Sequence, residues 1–257
     1  MSVALVTGGG RGIGRTLARE LTRAGWTVVV TGRTPASLDE AVGQGDAALA
    51  VAGDATDPEA VRAAVRAARE LGDLDLVVAN AGRFTAGGPI WESDPADWWA
   101  DTEVNLRGPA LLLHAVLGDM VERRRGRVVV MGSGLGVQPT PWGSAYAASK
   151  AAVQRLVDSV AGELSGTGVA VFAISPGLVD TDLSEFPAGF LTHYPEMAGR
   201  AKQVGRPPEE CAALVLELAS GRHDQLSGKY LHVRDHLGRA AQGSAESGTL
   251  RLVPFPD

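Results

Sequence analysis

Short apolar runs recur along the chain, separated by longer stretches in which Ala, Leu and Val return every three or four positions. The runs are VALVT (3–7), TVVVT (27–31), AALAV (47–51), LDLVVA (74–79), GRVVVMG (126–132), VAVFAIS (169–175) and GKYLHV (228–233). Most are near-continuous and do not alternate with polar residues. A strand covered on both faces has no wet side, so such runs mark parallel strands buried between two layers. The intervening stretches GRTLARELTRAG, DPEAVRAAVRAARELG and SAYAASKAAVQRLVDSVAGEL carry helical periodicity. Strand–helix alternation of this kind predicts an α/β fold, with a doubly wound, seven-stranded parallel sheet flanked by helices. With no internal repeat and no long linker, residues 1–257 form one domain. The tail from about 235 to 257 is a C-terminal extension whose TLRLV would add a strand or pack on a neighbouring subunit.

Composition narrows the function. The net charge of −6 argues against a general nucleic-acid binder. The basic run Arg123, Arg124, Arg125 and Arg127 falls where a helix ends, where positive charge is favourable. Cys211 is the only cysteine, so there is no intramolecular disulfide. No segment resembles a signal peptide, and no run approaches the roughly 18 apolar residues of a membrane helix. The expectation is a cytoplasmic protein with no membrane or nucleic-acid partner.

The first strand runs into TGGGRGIG, residues 7–14, and a helix follows. Gly8, Gly12 and Gly14 suit a tight strand-to-helix turn, where glycine tolerates positive φ and lets the backbone approach a pyrophosphate at the helix N-terminus. The spacing G-x-x-x-G-x-G is a variant of the dinucleotide fingerprint, and its place in a βαβ unit predicts a Rossmann fold. An acid at the end of the second strand would bind the ribose hydroxyls of NAD. Here that position reads Thr31-Gly32-Arg33, and Asp39 and Glu40 come too late. A guanidinium fork suits a phosphate dianion, so Arg33, helped by Arg11, favours NADP(H) over NAD(H).

Further motifs follow in order: Asp54 in GDATD, ANAG at 79–82, Asn105 in VNLRG, Ser133, YAASK at 146–150 and PGLVDT at 176–181. Together with the glycine loop they resemble the classical branch of the short-chain dehydrogenase/reductase family, over roughly residues 1–233. The resemblance implies that Gly8, Arg11, Gly12, Ile13 and Gly14 cradle the cofactor. It implies that Asp54 and Ala55 meet its adenine, that Asn80, Ala81 and Gly82 support it, and that Pro176, Gly177 and Thr181 face its nicotinamide. It makes Asn105, Ser133, Tyr146 and Lys150 a catalytic tetrad. In the family, the counterpart of Asn105 bends its helix and anchors a water that relays protons through the lysine.

On a helix, residues four apart share a face, so Tyr146 and Lys150 point the same way. A phenol of pKa near ~10 is too weak an acid for base catalysis at neutral pH. A nearby ammonium is expected to lower that value. Tyr146 would then exchange a proton with a carbonyl or alcohol oxygen that Ser133 orients, while Lys150 also holds the nicotinamide ribose. A serine-hydrolase elbow is missing from MGSGLG. His232, Asp235 and His236 bring too few ligands for a metal site.

The stretch 178–206 resembles the family's mobile substrate lid. Its Phe186, Phe190, His193, Tyr194 and Met197, with Phe84 and Trp142 from other loops, predict an aromatic pocket for an apolar ketone or secondary alcohol. The helices around 96–121 and 144–165 predict a homodimer or homotetramer, as in relatives. A non-catalytic NAD(P)-binding sensor or scaffold is the alternative, since fold does not fix function. The intact Ser133, Tyr146 and Lys150 argue for an enzyme. An epimerase or dehydratase is a third reading, but such relatives carry a larger C-terminal substrate domain.

Overall fold

The structure, a computed structural model, describes residues 2–235 and 237. Seven strands form it: β1 (Ser2–Thr7), β2 (Thr27–Gly32), β3 (Leu49–Ala52), β4 (Asp73–Ala79), β5 (Gly126–Met131), β6 (Val169–Ser175) and β7 (Tyr230–His232). They make one sheet in the order β3-β2-β1-β4-β5-β6-β7, with every pairing parallel. The order reverses beside β1, and in an open parallel sheet that switch point opens a crevice at the carboxyl ends of the strands.

The helices are α1 (Gly12–Arg23), α2 (Pro35–Gly43), α3 (Pro58–Glu70), α4 (Pro95–Thr102), α5 (Gly108–Glu122), α6 (Ser144–Glu163), α7 (Ala188–Leu191), α8 (Arg200–Val204) and α9 (Pro208–Ala219). Successive side chains of a strand point to opposite faces. Ala4 and Val6 of β1 therefore join Leu17 of α1 and Leu218 of α9 on one face, while Val3 and Leu5 join Val65 of α3, Val116 of α5 and Val157 of α6 on the other. Both faces are dry, which is why the sequence runs are continuous. Each such Leu or Val is worth about 1.5–3 kcal/mol on burial.

Strand boundaries fall within about two residues of the apolar runs, but β7 is only three residues long. The helix read over 96–121 is two helices, interrupted around Asn105, where the resemblance implied a bend. Between α4 and α5 the chain makes a wider π-helical turn, Glu103–Arg107, closed by a hydrogen bond from Gly108 N–H to Glu103 C=O. Pro109 follows; it has no N–H to give the Asn105 carbonyl four residues back, so a regular α-helix cannot continue through this point. The basic run does follow a helix end, just past α5. Three of its four arginines are also held by acids: Arg123 and Arg125 flank the buried Asp75 at 3.2 and 2.5 Å, and Arg127 pairs with Asp224 at 2.8 Å.

Among the described residues no helix is long and apolar enough to cross a membrane, and no cluster of His, Cys, Asp and Glu could hold a metal ion. His236 and the TLRLV segment, with nearly all of the C-terminal extension, lie outside the described residues.

Candidate active site

The glycine loop takes its shape from two left-handed residues, Gly8 (φ +64°) and Gly12 (φ +52°). A Cβ on Gly14 would lie 2.1 Å from the Gly8 carbonyl oxygen, so only glycine lets α1 start this close to β1. The loop is stapled across the switch point. The Asn80 amide donates to the carbonyls of Thr7 (2.8 Å) and Gly8 (3.3 Å), and the Thr7 hydroxyl accepts from the backbone N–H groups of Asn80 and Ala81, both at 3.0 Å. Across the crevice, Thr181 faces Gly12: a Cβ there would lie 3.2 Å from the Thr181 methyl. A bare glycine loop, an open helix start and a facing threonine make a cradle that fits the pyrophosphate of a dinucleotide.

Further out, the Asp54 carboxylate accepts from Thr56 N–H and Oγ1, both at 2.8 Å. Burial works to raise its pKa, but the Thr56 hydrogen bonds and the Arg33 charge outweigh it and hold the carboxyl below its usual value. Asp54 and Arg33 are thus neighbours at the β2–β3 edge. Ala55 lies over Gly108, the first residue of α5. Arg11 does not stand free; it forms an exposed ion pair with Asp182, just past Thr181.

At the other side of the switch point, Ser133 follows β5. Its hydroxyl accepts from Leu135 N–H at 3.2 Å, and its carbonyl from the Gln154 side chain at 3.0 Å. Tyr146 and Lys150 lie on one face of α6, both buried. The Lys150 ammonium donates to the Met131 carbonyl at 2.7 Å and stands 5.6 Å from the Tyr146 ring centroid. Burial pushes Tyr146 up to about 12, against the pull of the neighbouring Ser133 hydroxyl. Burial also pushes Lys150 down to about 8. The expected lowering of Tyr146 by Lys150 is therefore not what this geometry gives. The ammonium is turned to a carbonyl, and desolvation dominates both groups.

Asn105 is fully buried in the π-turn. It accepts from Arg83 N–H at 2.9 Å, donates to the Arg83 carbonyl at 2.8 Å and donates to the Ser149 hydroxyl at 3.1 Å. Its side chain thus clamps the segment after β4 to α6, and Gly82 sits between it and Lys150. Asp101, which sequence reasoning passed over, completes the clamp. It is fully buried, accepts from the N–H groups of Thr85 (2.8 Å) and Ala86 (2.9 Å), and meets the Arg83 guanidinium at 3.1 Å. Held from both ends, this segment lays Phe84 flat on Tyr146, with centroids 4.5 Å apart and planes 18° from parallel.

A cavity of about 650 Å³ opens here. Ser133, Tyr146, Pro176, Gly177, Thr181 and Ile13 line it, with Phe84 and Phe186 of the expected aromatic set. The other three stand behind that wall. Phe190 packs on Phe84 at 5.3 Å, Tyr194 on Phe190 at 4.8 Å, and Trp142 stacks on His193 at 4.1 Å. Phe190 is buried against the second glycine-rich turn at Gly87, so it supports the pocket without facing it. Leu183, Met197, Arg200, Tyr230, His232 and Asp235 also line the cavity. Only Met197 and the His232–Asp235 pair had drawn notice in the sequence, the latter as a rejected metal site.

The doubly wound sheet, the glycine cradle and the Ser–Tyr–Lys cluster at one strand edge define a dinucleotide-binding oxidoreductase. Residues 2–187 match the family model for short chain dehydrogenases. A short chain dehydrogenase of Pseudocercospora fijiensis is 34% identical, covering 97% of this chain and 88% of its own. The 3-oxoacyl-[acyl-carrier-protein] reductase of Vibrio harveyi is 33% identical over 90% of this chain and 95% of its own. Among solved structures, a variant of actinorhodin polyketide ketoreductase with NADPH superposes with a TM-score of 0.81 at 32% identity, covering 92% of this chain and 97% of that one. The chain belongs to the short-chain dehydrogenase/reductase family, whose members act on carbonyls or alcohols with a nicotinamide cofactor.

Proposed function

We propose that this protein is an NADP(H)-dependent reductase of ketones, running also as a secondary-alcohol dehydrogenase, with Tyr146 as the proton donor. The observation that carries the reading is the buried Tyr146, pushed up to about 12, which lines an apolar cavity together with Ser133. A phenol so placed is protonated throughout the physiological range, which suits it to protonate a carbonyl oxygen. Ser133 holds the same oxygen. Lys150, charged below about 8, places a positive group beneath the developing charge.

A bound reduced nicotinamide supplies the hydride. The residues that would hold it are Gly8, Arg11, Gly12, Ile13 and Gly14 at the phosphates, Asp54 and Ala55 at the adenine, Asn80, Ala81 and Gly82 along the sheet edge, and Pro176, Gly177 and Thr181 at the nicotinamide, with Lys150 on the ribose. Arg33 supports the choice of the 2′-phosphate, and the NADPH-bound ketoreductase is consistent with it. Phe84, Phe186 and the aromatic layer of Trp142, Phe190 and Tyr194 fit an apolar or aromatic substrate. As in its family, the protein is expected to work as a homodimer or homotetramer.

Tyr146→Phe tests the reading, because it keeps the ring stacked on Phe84 and removes only the hydroxyl that would donate the proton. Turnover of ketones should fall about 10²–10⁴-fold, the worth of one positioned acid. NADPH should bind within about threefold of wild type, and more tightly than NADH. A variant that keeps more than a tenth of wild-type turnover would refute Tyr146 as the acid. Equal affinity for the two cofactors would refute the Arg33 assignment.

A further inference from the structure

Tyr230 opens β7, beside Ala173 of β6, and its ring crosses over the segment that carries Ser133. A Cβ on Gly132 would touch the ring at 3.1 Å, and one on Gly134 would lie 4.0 Å from the Tyr230 hydroxyl. The phenol therefore runs along Gly132-Ser133-Gly134, and Tyr230 is among the residues that line the cavity with Ser133 and Tyr146. The Tyr230 hydroxyl is shielded from solvent, yet among the described residues no group meets it in hydrogen-bond geometry. The Ser175 hydroxyl, which accepts from Gly177 N–H at 3.3 Å, lies near enough to favour the phenolate without meeting it in hydrogen-bond geometry. Burial raises the Tyr230 pKa, so the group is a neutral donor.

A buried hydroxyl without a partner weighs against the fold unless something supplies an acceptor. The position says what that acceptor belongs to. Two residues along the strand, His232 faces Gly177, on the cofactor side: its ring comes within 3.6 Å of where a Gly177 Cβ would be. Tyr230 leans the other way, over Ser133, on the substrate side. The reacting oxygen is already shared by Ser133 and Tyr146 in the reading given above, on which this inference rests. We propose that Tyr230 is a specificity-determining residue whose hydroxyl donates to a second oxygen of the substrate, next to the reacting carbonyl, so that the site selects oxygenated ketones such as β-keto esters over simple ketones.

The test uses two probes of equal chain length, ethyl 3-oxobutanoate and heptan-2-one, with NADPH and with wild type or Tyr230→Phe. The substitution keeps the ring that packs on Gly132, and a thermal melt confirms that the variant folds. Wild type should prefer the keto ester, and Tyr230→Phe should cut the ratio of kcat/KM for the two probes by about 3- to 10-fold, the worth of one neutral hydrogen bond. The rate on heptan-2-one and the NADPH Kd should hold. An unchanged ratio, or an equal loss on both probes, overturns the proposal. If wild type reduces neither probe while binding NADPH, the ketone-reductase reading has failed. Tyr230 is then judged on the same ratio of probe Kd values for the NADPH complex, and failure of either probe to bind overturns it.

Discussion

Replacing Asn105 by alanine separates the clamp from the chemistry it supports. The truncation leaves the Arg83 N–H and C=O groups without partners, since both bond the Asn105 side chain, at 2.9 and 2.8 Å. Ser149 is less affected; it still donates to the Tyr146 carbonyl at 2.8 Å. Each orphaned buried group costs about 1–3 kcal/mol, giving roughly 2–6 kcal/mol in all. Alanine returns about 0.5 kcal/mol of helix propensity, and local relaxation trims the rest, so the net loss should be about 3 kcal/mol. For a protein of this size that lowers Tm by roughly 6–12 °C. Thermal melts followed by circular dichroism read this directly, with Glu103→Ala as control. Glu103 sits in the same π-turn but makes only an exposed pair with Arg107 at 3.6 Å, and such pairs are worth about 0–1 kcal/mol. Ketone turnover should fall along with Tm, because the clamp also fixes Phe84 on Tyr146. An Asn105→Ala melt within about 2 °C of the control would refute the clamp.

Two further outcomes follow from buried groups and crowded glycines. Lys150 has its folded pKa lowered to about 8, against about 10.5 in an unfolded chain, so between those values the unfolded state binds more protons and stability should rise with pH. The gain is on the order of 3 kcal/mol at most; Tyr146, raised to about 12, should reverse the trend above about 10, where the unfolded chain releases its proton first. Tm measured from pH 7.5 to 10 should therefore climb in wild type relative to Lys150→Met, and parallel profiles would contradict the burial argument. Gly14→Ala should weaken NADPH binding more than tenfold and cost about 1–3 kcal/mol of stability, since its Cβ would press on the Gly8 carbonyl and, at 2.5 Å, on the Asn80 amide. Gly43→Ala, with open space around it, should leave NADPH binding unchanged; equal behaviour of the two would rule out the clash.

The strands, the glycine loop and the spacing of Ser133, Tyr146 and Lys150 were legible in the chain itself, for a physical reason. A strand buried on both faces must be apolar throughout, and a strand-to-helix turn against a phosphate leaves room only for glycine. These are local demands, written in consecutive residues. What depended on packing could not be read that way. In the residues themselves the π-turn shows only as Pro109; the bend at Asn105 was implied by the family resemblance alone. Asp101 looked like any helical acid until the fold buried it against the backbone of Thr85 and Ala86. The aromatic residues of the lid were visible, but which of them face the cavity and which stand behind was set by contacts across the molecule. Four-residue spacing put Tyr146 and Lys150 on one face, and charge alone then implied a lowered tyrosine. Desolvation reversed the direction, because burial is a property of everything packed around a group and of nothing in its own stretch of chain.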